Sequence, residues 1–184
     1  MSTTKHQPKR VVFVGAESCG KTTLAKFLAE SLQTWMVPEY WRHYWEAKKF
    51  GPAKTTWATE EFIHIGQTQN QHEDYLATKA QDILVCDTNA FLTSVWHRRY
   101  LGFESPEVDR LASQRRYDLV FFCPANIPFV QDGERDGEII RPEMSKWIEE
   151  KLVRWGIPFH SFSEQESLAQ RRSKVMELVQ SLPR

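Results

Sequence analysis

Short apolar runs alternate with helical patterns along most of this chain. Residues 10–14 (Arg-Val-Val-Phe-Val) form a continuous run rich in β-branched side chains, which is typical of a strand covered on both faces. Further strand candidates are residues 35–37, 83–86, 119–123 and, more weakly, 158–162. Helices are predicted at residues 21–32, 39–49, 59–80 and 164–182. Strands that alternate with helices predict an α/β fold with a five-stranded parallel sheet.

The length of 184 residues suits one well-buried domain. Residues 1–9 are polar and basic without an apolar core, so we expect a flexible tail followed by a single domain at residues 10–184. Residues 126–141 are polar, contain glycine and are flanked by proline, which favours a lid at about these positions.

Charge and cysteine content narrow the range of partners and the cell compartment. Lys and Arg number 24 and balance 24 Asp and Glu, so the overall field that draws a protein to nucleic acid or an anionic membrane is missing. The three cysteines have no paired spacing, and Cys86 and Cys123 each end an apolar run, as core residues do. We therefore expect a cytoplasmic protein without nucleic-acid or membrane partners.

A glycine-rich segment lies directly between the first strand and the first helix. It matches the Walker A pattern, in which backbone N–H groups and the helix N-terminus converge on phosphate oxygens. Within it Lys21 is predicted to reach the β- and γ-phosphates, and Thr22 to bind Mg²⁺. The predicted ATP-binding residues of this loop are Gly15, Ala16, Glu17, Ser18, Cys19, Gly20, Lys21, Thr22 and Thr23.

The branch of P-loop proteins is indicated mainly by missing motifs. The chain contains no Asn-Lys-x-Asp or Asp-x-x-Gly segment of a GTPase and nothing similar to a transporter ATPase signature. It is also short for a helicase or an AAA-type motor with additional modules. These observations favour a kinase of a small molecule.

Two carboxylates follow predicted strands, at the edge where open parallel sheets bind ligands. Glu39 follows the second strand and is predicted to accept the proton of the substrate hydroxyl; the alternative is a carboxylate that complements a helix dipole. Asp87 ends the third strand and is predicted to order the water shell of Mg²⁺ or to contact substrate. Its alternative role is to cap the helix that begins near Thr88.

Arginines and aromatic residues supply the remaining candidates. Arg135 lies in the predicted lid and is expected to clamp the moving phosphoryl group, with a solvated loop charge as the alternative. Arg42 lies one helical turn after Glu39, where it either faces the same cleft or forms a surface ion pair. Aromatic residues are dense after the second strand, and Tyr40 and Trp57 are candidates to bind substrate, although core packing explains many such rings.

In their order and spacing these residues resemble the ribosylnicotinamide kinase domain of bacterial NAD-biosynthesis proteins, within the nucleoside and nucleotide kinase-like P-loop group. The resemblance rests on residues 14–24, on Glu39-Tyr40 with Arg42, on Asp87-Thr88, and on the Asp-Gly-x-Arg segment at 132–135. It implies a three-layer P-loop NTPase fold and transfer of phosphate from ATP to the 5′-hydroxyl of nicotinamide riboside. Glu39 is then the base.

Other functions share many of these residues. A kinase of another nucleoside, a nucleotide or a vitamin differs only in the shape of its pocket. A regulatory ATPase that reshapes a partner surface needs the same phosphate loop but no acceptor pocket. Glu39 at the sheet edge and the arginine in the predicted lid favour a kinase over this last class.

Overall fold

The computed structural model describes residues 7–52, 56–129 and 138–183. Within these ranges one parallel sheet has the strand order β2-β3-β1-β4-β5. Its strands are β1 (Lys9–Gly15), β2 (Met36–Val37), β3 (Ile83–Asp87), β4 (Leu119–Cys123) and β5 (His160–Ser161). The predicted α/β fold with a five-stranded parallel sheet is confirmed.

Seven helices in the described ranges connect and cover these strands. They are α1 (Lys21–Leu32), α2 (Tyr40–Lys48), α3 (Thr59–Ala77), α4 (Ala90–Leu101), α5 (Pro106–Ser113), α6 (Arg141–Arg154) and α7 (Leu168–Gln180). Of the helices described, none is both long and apolar enough to cross a membrane.

The central strand β1 is covered by helices on both faces, so the fold has three layers: helices, sheet and helices. Its side chains alternate between two hydrophobic clusters, so that Val12 and Val14 face one and Val11 and Phe13 face the other. The first cluster includes residues of α3, α4 and α6, and the second includes residues of α1 and α7. A strand covered on both faces needs apolar side chains at its covered positions, which is why residues 11–14 show no polar alternation.

Three predicted elements have bounds that differ from the structure by two residues or more. The helix predicted at 59–80 ends at Ala77, where the Thr78 hydroxyl donates to the backbone carbonyl of Tyr75. The last helix begins at Leu168 rather than at residue 164, because Ser167 and Gln170 form a capping box there. The last strand is limited to two residues, His160 and Ser161.

The strand register places several chain segments at one edge of the sheet. Phe13 in β1 is opposite Asp87 in β3, and Gly15 is opposite Cys123 in β4. The carboxyl ends of these neighbouring strands therefore meet, and β2 ends beside them at Val37. In an open parallel sheet this edge is where ligands bind.

Candidate active site

The loop between β1 and α1 has the backbone conformation of a phosphate cradle. Ser18 and Gly20 have positive φ values of 53° and 89°, which turn the chain sharply before α1 begins at Lys21. A Cβ on Gly15 would lie 2.3 Å from the backbone oxygen of Cys123, so only glycine fits there. No side chain of the described residues caps the N-terminus of α1, which leaves its first N–H groups directed at the loop.

Lys21 folds back over this loop. Its side chain is buried, and Nζ donates a hydrogen bond of 2.7 Å to the carbonyl of Ala16 and lies 3.8 Å from Sγ of Cys19. Burial alone would lower the pKa of Lys21, but the negative charge that Cys19 carries when deprotonated and the carboxylates of Glu39 and Asp87 raise it above the ordinary value. The lysine is therefore held as a cation inside the cradle.

Asp87 is a buried carboxylate at the end of β3, with 4% of its surface exposed. The Thr22 side chain lies next to the carboxylate, while Oδ1 has no hydrogen-bond partner among the described residues. Burial raises the pKa of Asp87, and the charge of Lys21 opposes that rise. An unpartnered buried oxygen beside a threonine hydroxyl fits a hard cation such as Mg²⁺.

Among the described residues, Thr22 and Asp87 are the two side chains that fit a metal at this site. The described part of the chain contains no group of three or more His, Cys, Asp or Glu side chains able to hold a metal ion. Thr22 and Asp87 would therefore share Mg²⁺ with phosphate oxygens of a nucleotide, which is how Mg²⁺ is usually bound in kinases.

The helix that follows β3 is capped by a different residue from the one considered in the sequence. The side chain of Asn89 accepts a hydrogen bond of 3.4 Å from the backbone N–H of Leu92 in α4. Between Asp87 and Asn89, Thr88 has a positive φ of 80°. This value is uncommon for a β-branched residue, and it turns the chain away from β3. Asn89 rather than Asp87 caps α4, so the Asp87 carboxylate remains directed at Thr22.

Glu39 occupies the N-cap position of α2, yet its side chain caps no N–H group of the described helix. The carboxylate is 13% exposed, and Arg42 lies 3.7 Å from it. Burial raises the pKa of Glu39, Lys21 opposes the rise, and the nearby Asp87 charge adds to it. A carboxylate whose pKa is raised in this way is a stronger proton acceptor than an exposed glutamate.

A cleft with a volume of about 400 Å³ joins the phosphate loop to Glu39 and Arg42. Its wall also includes an aromatic pair from each of two helices, spaced one helical turn apart. The pairs are Trp41 and Trp45 from α2, and Trp96 and Tyr100 from α4. Residues 17–23 line the end of the cleft formed by the phosphate loop, while Gly15 and Ala16 shape the loop beneath it.

Three of the predicted substrate residues lie outside the described lining of the cleft: Asp87, at the end of β3, and the aromatic residues Tyr40 and Trp57. Trp57 stacks on Trp41 with ring centroids 4.7 Å apart. Tyr40 packs against α3, where its hydroxyl is 3.1 Å from Nε2 of His64. Trp96 and Tyr100 were not among the sequence candidates, although their spacing in a helix after Asp87 was a usable signal.

The predicted lid is described only at its two ends. Ile127 and Pro128 border the cleft, and Arg141, at the start of α6, donates to the backbone carbonyls of Ile127 (2.7 Å) and Ser18 (3.2 Å). Arg141 thus ties the phosphate loop to the start of the lid segment. Arg135, the predicted clamp, lies outside the described residues.

The sequence of this chain matches a known protein family and is similar to a known protein. The AAA_28 family model, described as AAA domain, matches residues 10–171. The Trifunctional NAD biosynthesis/regulator protein NadR of Escherichia coli (strain K12) is 29% identical over 176 residues, which are 95% of this chain and 42% of that protein. The chain thus spans less than half the length of this relative.

Solved structures show the same fold. A NadR protein in complex with NR superimposes with a TM-score of 0.77 at 23% identity, covering 95% of this chain and 51% of that one. Thymidylate kinase from Ehrlichia chaffeensis superimposes with a TM-score of 0.69 at 15% identity, covering 95% of this chain and all of that one (100%).

Proposed function

Because this chain belongs to the AAA_28 family of P-loop domains, we propose that it is an ATP-dependent kinase that phosphorylates the 5′-hydroxyl of nicotinamide riboside. The observation that carries the proposal is the buried carboxylate of Glu39 in the cleft that begins at Lys21. A P-loop ATPase that only switches conformation needs no acceptor pocket with a carboxylate in it. The resemblance to NadR, including a NadR complex with NR, supports nicotinamide riboside as the acceptor.

The phosphate loop binds and orients ATP in this proposal. The N-terminus of α1 and Lys21 neutralise the phosphate oxygens, and Arg141 holds the Ser18 turn in place. Mg²⁺ held by Thr22 and Asp87 would neutralise charge that develops on the β- and γ-phosphates. We further propose that Arg135 clamps the transferred phosphoryl group.

Glu39 activates the acceptor. Its carboxylate accepts the proton of the 5′-hydroxyl while that oxygen bonds to the γ-phosphorus and the bond to the β–γ bridging oxygen breaks. ADP leaves with the electron pair of the broken bond. Lys21 raises the affinity of the loop for phosphate, and its charge partly offsets the rise that burial causes in the pKa of Glu39.

The test is ADP release with Mg²⁺ and ATP across a panel of nicotinamide riboside, ordinary nucleosides, nucleotides and vitamins. We expect strong stimulation by nicotinamide riboside, with Lys21→Ala inactive at every acceptor. Stimulation by a different acceptor would replace the substrate and keep the reaction. Hydrolysis at the same rate with and without any acceptor would overturn the proposal in favour of a regulatory ATPase.

A further inference from the structure

Trp41 lies at the junction between α2 and α4. Its ring centroid is 4.7 Å from that of Trp57, 5.5 Å from that of Trp96 and 5.6 Å from that of Tyr100, with interplanar angles of 20°, 9° and 25°. Trp41, Trp96 and Tyr100 all border the cleft, whereas Trp57 supports Trp41 from outside the described lining. Trp41 therefore bridges the two helices with its ring.

The ring spacing decides where a flat base can lie. A ring inserted between two parallel rings needs about 7 Å between their centres, twice the contact distance of carbon atoms. The gaps from Trp41 to Trp96 (5.5 Å) and to Trp57 (4.7 Å) are both too narrow. A base must therefore lie on the cleft side of Trp41, with that indole as its boundary.

Trp41 is also fixed close to the reaction centre. It lies in the first turn of α2, two positions after Glu39, and both line the same cleft. An acceptor that presents its 5′-hydroxyl to Glu39 has its base a ribose length away in the same cleft, where the aromatic pairs of α2 and α4 form the wall. The ring of Trp41 is therefore one of the surfaces that bound the space available to the base.

We propose, on the basis of the proposed function, that Trp41 determines which acceptor base is accepted, because its ring closes the acceptor end of the cleft. With this indole in place the cleft admits a base made of one six-membered ring, and the second ring of a purine collides with Trp41. The residue acts by excluding the larger base, which is an effective way to discriminate when attractive contacts are similar for both.

Replacing Trp41 with a smaller residue should remove this exclusion of purine bases. Its ring contacts Trp57, Phe62, Trp96 and Tyr100, so removal leaves a void lined by aromatic rings and open to the cleft. This void adds room beside the cleft, and its aromatic walls can stack on the flat face of a base. A purine, which is larger than a six-membered ring by one fused ring, can then use that added room.

The experiment measures kcat/KM for nicotinamide riboside and for inosine and guanosine in wild type, Trp41→Ala and Trp41→Phe. The ratio of purine to nicotinamide riboside should rise about tenfold or more in Trp41→Ala, and by less in Trp41→Phe, which keeps one ring. Trp57→Phe is the matched control, since Trp57 stacks in the same cluster but lies outside the described cleft lining. Its ratio should match that of the wild type.

Each outcome separates this inference from the proposed function. If wild type phosphorylates nicotinamide riboside and the ratio is unchanged in both Trp41 variants, the inference is wrong while the function stands. An equal rise in Trp57→Phe would also overturn it, because the effect would then follow loosening of the cluster. If wild type uses no nucleoside at all, the proposed function fails and the inference fails with it. Should Trp41→Ala not fold, Trp41→Phe decides.

Discussion

Two carboxylates and one lysine at the candidate site lie close enough for their charges to interact. Burial raises the pKa of both Glu39 and Asp87, and the Lys21 ammonium opposes the rise in each case. The two carboxylates have different neighbours. Asp87 lies next to Thr22, whereas Glu39 lies beside Arg42 near the aromatic wall of the cleft. The same type of side chain is therefore suited to a metal in one place and to proton transfer in the other.

Glu39→Gln should lower kcat by about 10²- to 10⁴-fold while ATP affinity stays close to that of wild type, because the amide cannot accept the proton. Calorimetric ATP binding and steady-state rates measure the two effects. Glu46→Gln, at an exposed position of the same helix, is the control. An equal loss of ATP binding and turnover in Glu39→Gln would mean that Glu39 only supports the structure.

The pH dependence of the rate follows from the raised pKa of Glu39. The base must be ionised, so activity is lost as pH falls through the folded-state pKa of this carboxyl, which burial places above the ordinary 4.5. The acid limb of kcat/KM should therefore lie at higher pH than that of an exposed glutamate. Glu39→Asp, which keeps a carboxylate in a changed position, should move this limb; an identical profile in both enzymes would contradict the assignment.

At the scale of elements, the contact between β1, the phosphate loop and β4 is the most tightly constrained part of the cleft. Gly15 is paired with Cys123 in the β1–β4 register, and the Cys19 side chain closes over the same point. Cys19 also donates to the carbonyl of Ala16, so the loop is packed against itself as well as against the sheet. The position of the cradle therefore depends on the strand pairing beneath it.

Gly15→Ala should destabilise the protein by about 3 kcal/mol or more, because the new Cβ would lie 2.3 Å from a backbone oxygen and 2.6 Å from Sγ of Cys19. ATP binding should be lost with it. Gly102→Ala is the control, since Gly102 also has a positive φ but its added Cβ meets no described atom within 4 Å. The control should lose only about 1–2 kcal/mol of backbone strain. Urea unfolding would show the difference, and equal losses would contradict the packing argument.

At the scale of the whole molecule, the cleft joins segments that are distant in the chain. Residues from α1, α2, α4 and the stretch at 127–128 line it, and Arg141 links the last of these to the phosphate loop. A ligand in the cleft contacts all of them together. Its binding energy therefore stabilises the domain as a unit.

Mg²⁺–ATP at about 100 times its Kd should raise the free energy of unfolding by about 2.7 kcal/mol, because only the folded chain forms the cradle. Thermal unfolding with and without nucleotide measures this. Lys21→Ala should lose most of the increase while its own unfolding remains cooperative. Equal stabilisation of both proteins by Mg²⁺–ATP would show that the nucleotide binds elsewhere.

Local sequence patterns alone determined the sheet, the phosphate loop and the two carboxylates. A β-branched run, a glycine spacing and a helix start are signals carried by neighbouring residues. Parallel strands share one carboxyl edge, so Glu39 and Asp87 could be assigned to the same edge of the sheet from the sequence. These predictions rest on chain geometry that does not depend on how the side chains pack.

The tertiary structure decided which side chains complete the cleft. Tyr40 and Trp57 have the same local signals as Trp41, yet they pack against α3 and behind Trp41, while Trp96 and Tyr100 approach from α4. Which ring borders the cleft depends on the angles at which α2, α3 and α4 pack, and those angles are set by contacts between residues far apart in the chain. An aromatic residue favours burial equally well in any of these positions, so only the packed helices distinguish a cleft wall from a core.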